Sequence, residues 1–347
     1  MILFAIFLIF LRVMIKLLTI QLAFVLAVFC TPLTAQESNY SKILSQNQKI
    51  SPTFTGDILG NWRVTTNYMN IRTSSFKYDY FTLSYDQPFF IRRYKIGIGL
   101  HAMQDNISSV FSTQKVQLSL ALHPVIQNHI LSFGMHAGYV TYEPKLGDEL
   151  FPSQYDFASH SFRNDLPTNE NINDLISFID LGVGVKWRKQ YNDIIPEVGI
   201  NLLHLNSPQS SVASGSVKLK PDALVTSAVK WHTSAKWYSM SEFMYYNNQN
   251  NDKIFVGEIM TYIISDNFME KSVFAGLFLN SHHGRFYSTT PLIGANYNQW
   301  HIAFSYDINF SQLQRKYTPV KGPFEITISY MSISNHVRKL TLPCVRY

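Results

Sequence analysis

The sequence predicts an all-β fold, a single antiparallel transmembrane β-barrel of the outer-membrane type with about 14 strands. Three observations predict it: apolar and polar residues alternate along most of the chain, short and long connectors alternate, and tryptophans recur at one end of the strands. Charged residues make up only 15% of the chain, whereas aromatic residues reach 14%. That composition suits a surface that meets lipid and two membrane–water interfaces.

The first 35 residues are typical of an export signal. Within residues 1–35 a short basic start, an apolar core and a final small residue follow one another. This is the layout of a secretory signal peptide, so we expect Sec-type export, cleavage and delivery to the outer membrane. Met14 is an alternative start, because a second apolar run precedes it. An uncleaved membrane helix over residues 1–30 and a lipoprotein modified at Cys30 are the alternatives.

Three parts follow the signal. We expect residues 36–61 to lie in the periplasm or the lumen, residues 62–332 to form the barrel, and residues 333–347 to form a periplasmic tail. Cys344 is then the only cysteine, so no intramolecular disulfide is expected. The signal holds two basic residues, and the formal charge of +6 therefore falls to +4 in the mature chain. That balance is too small to indicate a nucleic acid partner.

Period-two alternation predicts each strand. It is clearest in residues 178–187, 301–310 and 324–331, where Val, Ile, Phe and Tyr alternate with small or polar residues. Counting such runs gives strands at 62–72, 78–87, 95–103, 114–122, 129–141, 178–188, 196–205, 223–232, 238–247, 254–264, 272–280, 289–297, 301–310 and 323–332. Most approach the roughly 9–11 residues that a tilted strand needs to cross a bilayer. We expect apolar faces toward lipid and polar faces toward the lumen, although a soluble β-sandwich would alternate in the same way.

Connector lengths predict which end faces the periplasm. Short connectors follow the even-numbered strands, and longer ones, such as 104–113, 142–177, 206–222 and 311–322, mostly follow the odd-numbered strands. Outer-membrane barrels have short periplasmic turns and longer outer loops. Five tryptophans then fall at periplasmic strand ends, with only Trp237 ambiguous in its facing: Trp62, Trp187, Trp231, Trp237 and Trp300. Such positions fit an aromatic girdle at the headgroup level.

Neither a catalytic nor a metal-binding motif is recognisable. The eleven histidines form no HExxH pattern, and no nucleophile elbow singles out a serine. His101, His136 and His301 fall on polar strand faces, where a hydrogen-bonded role in the lumen is the ordinary one. We therefore expect no enzyme activity, no metal and no cofactor, although outer-membrane proteases and phospholipases exist.

Two charged surfaces are candidates for partner binding. The connector 142–177 is long and acidic, and it fits either a solvated loop or a contact with a partner or a divalent ion. The opposite rim is basic, and its candidate docking residues are Arg92, Arg93, Arg188, Lys189, Arg338 and Lys339. Inner-leaflet phospholipid and an acidic periplasmic protein are the two candidate partners of this rim.

Six short motifs follow one another between residues 51 and 347. Their characteristic positions are Pro52, Gly56, Asp180, Gly184, His204, Leu205, Pro208, Ser305, Tyr306, Asp307, Glu325, Pro343, Cys344, Arg346 and Tyr347. In this order the motifs resemble those of the PorP/SprF family of type IX secretion membrane proteins. Ser51, Val345 and Tyr347 depart from the family, which has Asn, Pro and Phe at the matching places.

The resemblance implies a non-enzymatic outer-membrane component of type IX protein secretion. Such a protein docks periplasmic machinery or supports export and surface attachment of a large adhesin. The implied partners are outer-membrane lipid, periplasmic secretion-system proteins and a secreted surface adhesin. An outer-membrane pore or transporter for small or apolar solutes is the alternative function, and a structural surface anchor is a third.

Overall fold

The computed structural model describes residues 51–72, 77–108, 111–144, 152–163, 165–167, 175–191, 193–209, 218–248, 251–265, 270–282, 285–310 and 322–333. Its long strands are β1 (Arg63–Arg72), β2 (Lys77–Ile91), β3 (Tyr94–Ile107), β4 (Phe111–His123), β5 (His129–Pro144), β6 (Ile176–Lys189), β7 (Ile194–Leu203), β8 (Asp222–Ser234), β9 (Trp237–Asn248), β10 (Asn251–Ser265), β11 (Lys271–His282), β12 (Arg285–Tyr297), β13 (Trp300–Tyr306, continued by Ile308–Asn309) and β14 (Phe324–Met331). Each of the fourteen coincides with a predicted strand.

Each strand pairs antiparallel with the next along the chain. The sheet closes because β14 pairs with both β13 and β1, in a register that places Arg63 opposite Met331. The predicted fold class, an antiparallel fourteen-stranded barrel, is confirmed. Among the residues that the structure describes, no helix has the length and apolarity needed to cross a bilayer.

The apolar strand faces point outward. On β6 and β13, Val183 is 39% exposed and Phe304 is 43% exposed, whereas the adjacent Ser305 is only 2% exposed. Outward apolar faces follow from the membrane environment, because lipid takes the place of a core. The two strands are neighbours only through intervening strands, as the alternation predicts. The sandwich alternative is therefore wrong.

The inward faces are polar on one side of the barrel and partly apolar on the other. Two buried apolar clusters line the inside of β7–β13: Leu203, Leu224, Met244, Tyr246 and Phe255 form the first, and Ile259, Phe274, Phe278, Leu292 and Ala303 form the second. The expectation of a uniformly polar lumen is wrong here. Strands β10 and β11 carry apolar residues on both faces, so large side chains fill the interior next to them.

The aromatic girdle lies at the end of the barrel that carries the short turns. The Trp62 and Trp300 rings lie 5.4 and 4.9 Å from the Tyr330 ring, and Trp237 lies 4.8 Å from Tyr262. Trp237, whose facing the sequence left ambiguous, is 43% exposed on the lipid side. By the convention of outer-membrane barrels this end faces the periplasm.

One outer connector differs from the prediction. The connector predicted at 104–113 is much shorter, because β3 continues to Ile107 and β4 begins at Phe111. Polar side chains extend this hairpin: Tyr78 donates a hydrogen bond to Asp105 at 3.1 Å, and Ser112 donates to Asn106 at 2.9 Å. Within the acidic connector 142–177, residues Tyr155–Asp156 pair with Ser161–Phe162 in a short ribbon.

Candidate functional site

Residues 51–58 lie inside the periplasmic half of the barrel, and we call this segment the lumen plug. It begins with a short 3-10 turn over Pro52–Phe54, which packs against the inner faces of β4, β5 and β6. Ser51 and Thr53 are each 1% exposed, and Thr55 is 0% exposed. Buried hydroxyl groups need hydrogen-bond partners. The wall supplies them for Ser51 and Thr55, whereas the Thr53 hydroxyl lies 2.7 Å from that of Ser51.

Hydrogen bonds connect the lumen plug to wall strands β2, β4 and β7, and a close approach connects it to β6. The Thr55 hydroxyl donates to Ser119 on β4 at 2.9 Å, and His123 Nε2 lies 2.9 Å from the Thr55 carbonyl oxygen. On β2, Asp86 accepts from the Gly56 N–H at 2.8 Å. The Ser51 hydroxyl donates to Asn201 on β7, and Thr53 contacts Gly184 on β6. The plug is thus bonded around half of the barrel circumference.

Glycines in the wall provide the space for the lumen plug. A methyl group on Gly97 would lie 1.9 Å from the Thr55 carbonyl oxygen, and one on Gly134 would lie 2.6 Å from the Pro52 carbonyl carbon. Gly56 itself has φ +68, a left-handed conformation that glycine adopts at little cost. Backbone therefore packs directly on backbone between the plug and the wall.

Asp57 of the lumen plug lies in a buried cluster of ion pairs. Asp57 receives two hydrogen bonds of 3.0 Å from Arg188 and one of 2.8 Å from Lys186, and Lys95 lies 3.8 Å away. Burial by itself would raise the pKa of Asp57, but the charges of Lys186, Arg188 and Lys95 outweigh it and hold that pKa well below its usual range. Glu197 on β7 lies 3.3 Å from Lys186.

This cluster corrects one residue of the predicted docking rim. Arg188 points inward to Asp57, because the polar side of β6 faces the lumen, and it is not a free rim charge. Arg92 and Arg93 form the exposed turn between β2 and β3, and Lys189 lies 4.5 Å from the Tyr191 ring. Arg338 and Lys339 lie outside the described residues.

A second polar cluster joins two positions of the sequence motifs. His204 Nδ1 lies 2.8 Å from an Asp180 carboxylate oxygen, and Lys115 donates to the other oxygen at 2.7 Å. His204 Nε2 lies 3.8 Å from Asp222, which accepts a hydrogen bond of 2.5 Å from Tyr246. Four strands thereby contribute to one network inside the outer half of the barrel.

The chain after β7 stays hydrogen-bonded to β6 beyond the end of the strand. The Leu205 N–H donates to the Leu181 carbonyl at 2.9 Å, and the Asn206 side chain donates to the Ile179 carbonyl at 2.6 Å. The Pro208 carbonyl then accepts from the Leu219 N–H at 2.9 Å. The motif around His204 therefore has a structural role, because it holds the end of β7 against β6.

The motif residues of the last two strands lie at the seam where the barrel closes. Glu325 on β14 is 2% exposed and accepts a hydrogen bond of 2.5 Å from Asn67 on β1. Ser305 pairs with Glu325 across β13 and β14, and the Asp307 N–H donates to the Pro323 carbonyl at 2.9 Å. Of the remaining motif positions, Tyr306 accepts a hydrogen bond of 3.1 Å from the Gly322 N–H through its hydroxyl oxygen. The other four, Pro343, Cys344, Arg346 and Tyr347, lie outside the described residues.

The three histidines on polar strand faces, His101, His136 and His301, face the lumen, as those strand faces predict. His101 is 4% exposed, His136 is 5% exposed, and His301 Nδ1 lies 2.6 Å from the Asn296 side-chain oxygen. Within the described ranges, no group of three or more His, Cys, Asp or Glu residues is placed to bind a metal ion. In the acidic connector, Arg163 pairs with Asp165.

Sequence reasoning missed the anchors of the lumen plug. Asp57, Asp86 and Lys186 carry charge inside a membrane barrel, and each has an oppositely charged partner. The available signal was the charge itself, because an ionisable residue at membrane depth needs a partner. Lys186 lies on the polar face of a strongly alternating strand, near its periplasmic end, and a charge on that face indicates an acidic partner in the lumen.

Comparisons with known proteins agree with this architecture. A family model described as "Type IX secretion system membrane protein PorP/SprF" matches residues 33–330. The Pseudomonas putida toluene transporter TodX is similar over 86% of this chain and 99% of its own, with a TM-score of 0.54 and 9% identity. The CymD monoaromatic hydrocarbon channel is similar over 85% and 94%, with a TM-score of 0.52 and 11% identity. At such identities the likeness concerns the barrel fold alone, and no protein of curated function matches the sequence.

Proposed function

Because the chain belongs to the PorP/SprF family of type IX secretion system membrane proteins, we propose that it is a non-enzymatic docking element for periplasmic secretion machinery at the outer membrane. In this role it supports export and surface attachment of a large secreted adhesin. The family match over residues 33–330 carries the proposal. Two structural features support the docking role over other roles of an outer-membrane barrel.

The first feature is the occupied lumen. Residues 51–58 fill the periplasmic half through buried hydrogen bonds and the Asp57 ion cluster. A polypeptide in transit needs an open passage, so this arrangement favours a barrel that binds the machinery over one that conducts its cargo.

The second feature is a set of basic residues at the periplasmic turns, of which Arg92, Arg93 and Lys236 are exposed and Lys189 is half-buried. Arg92 and Arg93 lie between β2 and β3, Lys236 lies between β8 and β9, and Lys189 ends β6. A cluster of one sign speeds encounter with an acidic partner, and salt weakens the attraction. Each exposed ion pair contributes only about 0–1 kcal/mol, so docking depends on several of these residues together.

The test reverses four rim charges at once. Arg92, Arg93, Lys189 and Lys236 are each replaced by Glu, and Arg188 is kept because it anchors the lumen plug. We expect the barrel to insert normally, while capture of periplasmic secretion proteins and display of the adhesin fall together.

The matched control reverses four cations near the outer end, Lys77, Arg163, Lys218 and Lys220, and should leave secretion unchanged. If the rim variant inserts and retains full secretion and partner capture, the rim is not the docking surface. The acidic connector 142–177 would then be the next surface to test.

A channel for apolar solutes is the second candidate function. The buried apolar residues inside β7–β13 favour it, and they are the one structural feature that a docking protein does not need. Uptake of a monoaromatic hydrocarbon into proteoliposomes separates the two functions. Uptake by the wild-type barrel above that of empty vesicles would favour the channel, whereas uptake equal to empty vesicles would favour docking.

A further inference from the structure

A carboxylate lies on the lipid-facing wall of the barrel. Glu258 on β10 pairs across the sheet with Ser241 on β9, and the Ser241 hydroxyl donates a hydrogen bond to its carboxylate. The neighbours Gly257 and Ile259 belong to the inward face, since Ile259 packs in a luminal apolar cluster. Side chains alternate along a strand, so Glu258 points outward.

Glu258 is also near the middle of the wall. It is the central residue of the strand Asn251–Ser265, four residues from Tyr262 in the periplasmic girdle. Other strands carry apolar residues at comparable outward positions, such as Leu118 on β4, which is 52% exposed, and Leu277 on β11, which is 51% exposed. The wall is therefore polar at this depth on one side.

Apolar residues and one hydroxyl group surround the carboxylate. On β8, Val229 is the partner of Ser241, and Ser227 is the next outward residue along that strand. The outward neighbours of Glu258 on its own strand are Val256 and Met260, and its partner on β11 is Leu277. None of these neighbours is a cation.

An ionisable side chain that faces lipid is costly, and such residues normally pair with another polar group in the membrane. Ser241 offers one hydrogen bond, which leaves the negative charge uncompensated. We propose that the outer face of β8–β10, centred on Glu258 and Ser241, binds a second outer-membrane protein that places a lysine or arginine side chain at this depth. This surface is separate from the periplasmic rim and does not depend on the docking role.

A second copy of this chain is the poorer occupant. A two-fold contact would place the same patch on both partners, and two Glu258 carboxylates would then face each other without a cation. Like charges in a medium of low dielectric repel strongly. Charge complementarity therefore selects a different protein as the partner.

A hydrophobic carbodiimide, which reacts with carboxylates inside membranes, tests the proposal. Glu258 is examined by peptide mass spectrometry after labelling of the full chain in two preparations, native outer membranes and proteoliposomes of the purified barrel. We expect labelling in proteoliposomes and its loss in native membranes, where the partner covers the carboxylate. The matched control carries Leu118→Glu together with Glu258→Gln, and its glutamate should be labelled in both preparations.

Three outcomes would overturn the proposal. Equal labelling in both preparations would mean that lipid alone surrounds Glu258, and protection in both would mean self-association. The third outcome concerns a photo-crosslinking residue at Met260, which should give an adduct with another outer-membrane protein in the wild type. Replacement of Glu258 by Gln should abolish that adduct while the barrel still inserts. Persistence of the adduct in the Gln variant would rule out a role for the charge.

Discussion

Arg188 and Asp57 are joined by two hydrogen bonds of 3.0 Å, one from each terminal nitrogen of the guanidinium group. The two residues are 131 positions apart in the sequence. This pair connects the lumen plug to wall strand β6, and Lys186 completes it from the same strand. Removal of Asp57 would leave Lys186 and Arg188 with Glu197 as their shared acidic partner, so the buried charge would be only partly compensated. This imbalance is the basis of the first two predictions.

Replacement of Asp57 by Asn should release the lumen plug while the barrel remains folded. Breaking a buried ion pair from one side costs up to about 3–5 kcal/mol. Here Lys186, which is 2% exposed, would keep only Glu197 at 3.3 Å as an acidic partner. Hydrogen exchange of residues 51–58 should accelerate, whereas exchange of β11 and β12 should not. The control Asp79→Asn changes a carboxylate near the outer end, and unaltered exchange in Asp57→Asn would contradict the role of the cluster.

The lumen plug should be released by acid and should stay bound at neutral pH. The folded pKa of Asp57 is depressed below 3.8, so its contribution to stability is complete above that value and declines as the pH falls further. We expect a constant conductance of the reconstituted barrel from neutral pH to about pH 4, and a rise below it. The Asp57→Asn variant should lack this acid step, and an identical step in both proteins would assign the step to another group.

Gly134→Ala should displace the lumen plug, and Gly138→Ala should not. Both glycines lie on the inward face of β5. A methyl group on Gly134 meets plug backbone at 2.6 Å, whereas one on Gly138 meets the flexible end of Lys115 at 3.0 Å. Cysteine accessibility at a Thr55→Cys substitution measures the displacement. Equal reactivity of that cysteine in the two glycine variants would contradict the close packing of the plug on β5.

Arginine on the outer face should be far more costly than arginine on the inner face. Phe304→Arg places a charge in lipid and should destabilise the inserted barrel by roughly 2–4 kcal/mol. Ala228→Arg faces the lumen, where Ala228 pairs with Glu197 on β7 and Glu242 on β9. Folded yield and heat-modifiability should fall only for Phe304→Arg. Equal losses for the two variants would contradict the assignment of the faces.

The strands of the barrel wall and their facing could be predicted from the sequence because the facing of each residue depends on its immediate surroundings alone. Lipid on one side requires an apolar residue at every second position, so residues such as Val183 and Phe304 reveal their facing without knowledge of any neighbour. Strand ends were less predictable, since polar residues such as Asp105 continue the pairing where the apolar signal stops.

The lumen plug could not be predicted because the residues that hold it are distant from it in the sequence. Residues 51–58 have no periodicity, and their burial depends on glycines and charged residues that follow much later in the chain. Arg188 illustrates the consequence: its position at a strand end suggested an exposed rim charge, and only the fold brings Asp57 to it. The contact between Asp180 and His204 is similar, because the motifs identified both residues but did not predict that they meet.

The contacts of residues 51–58 also bear on the order of assembly. They fall on β2 to β7, the first half of the wall, whereas the seam pairs Arg63 with Met331. Closing a loop costs more entropy as the loop lengthens, and contacts between distant residues form slowly. The enclosed segment therefore provides a template for the early strands, which curve around it into a half-cylinder. The curvature of the finished barrel is then set before the last strand pairs.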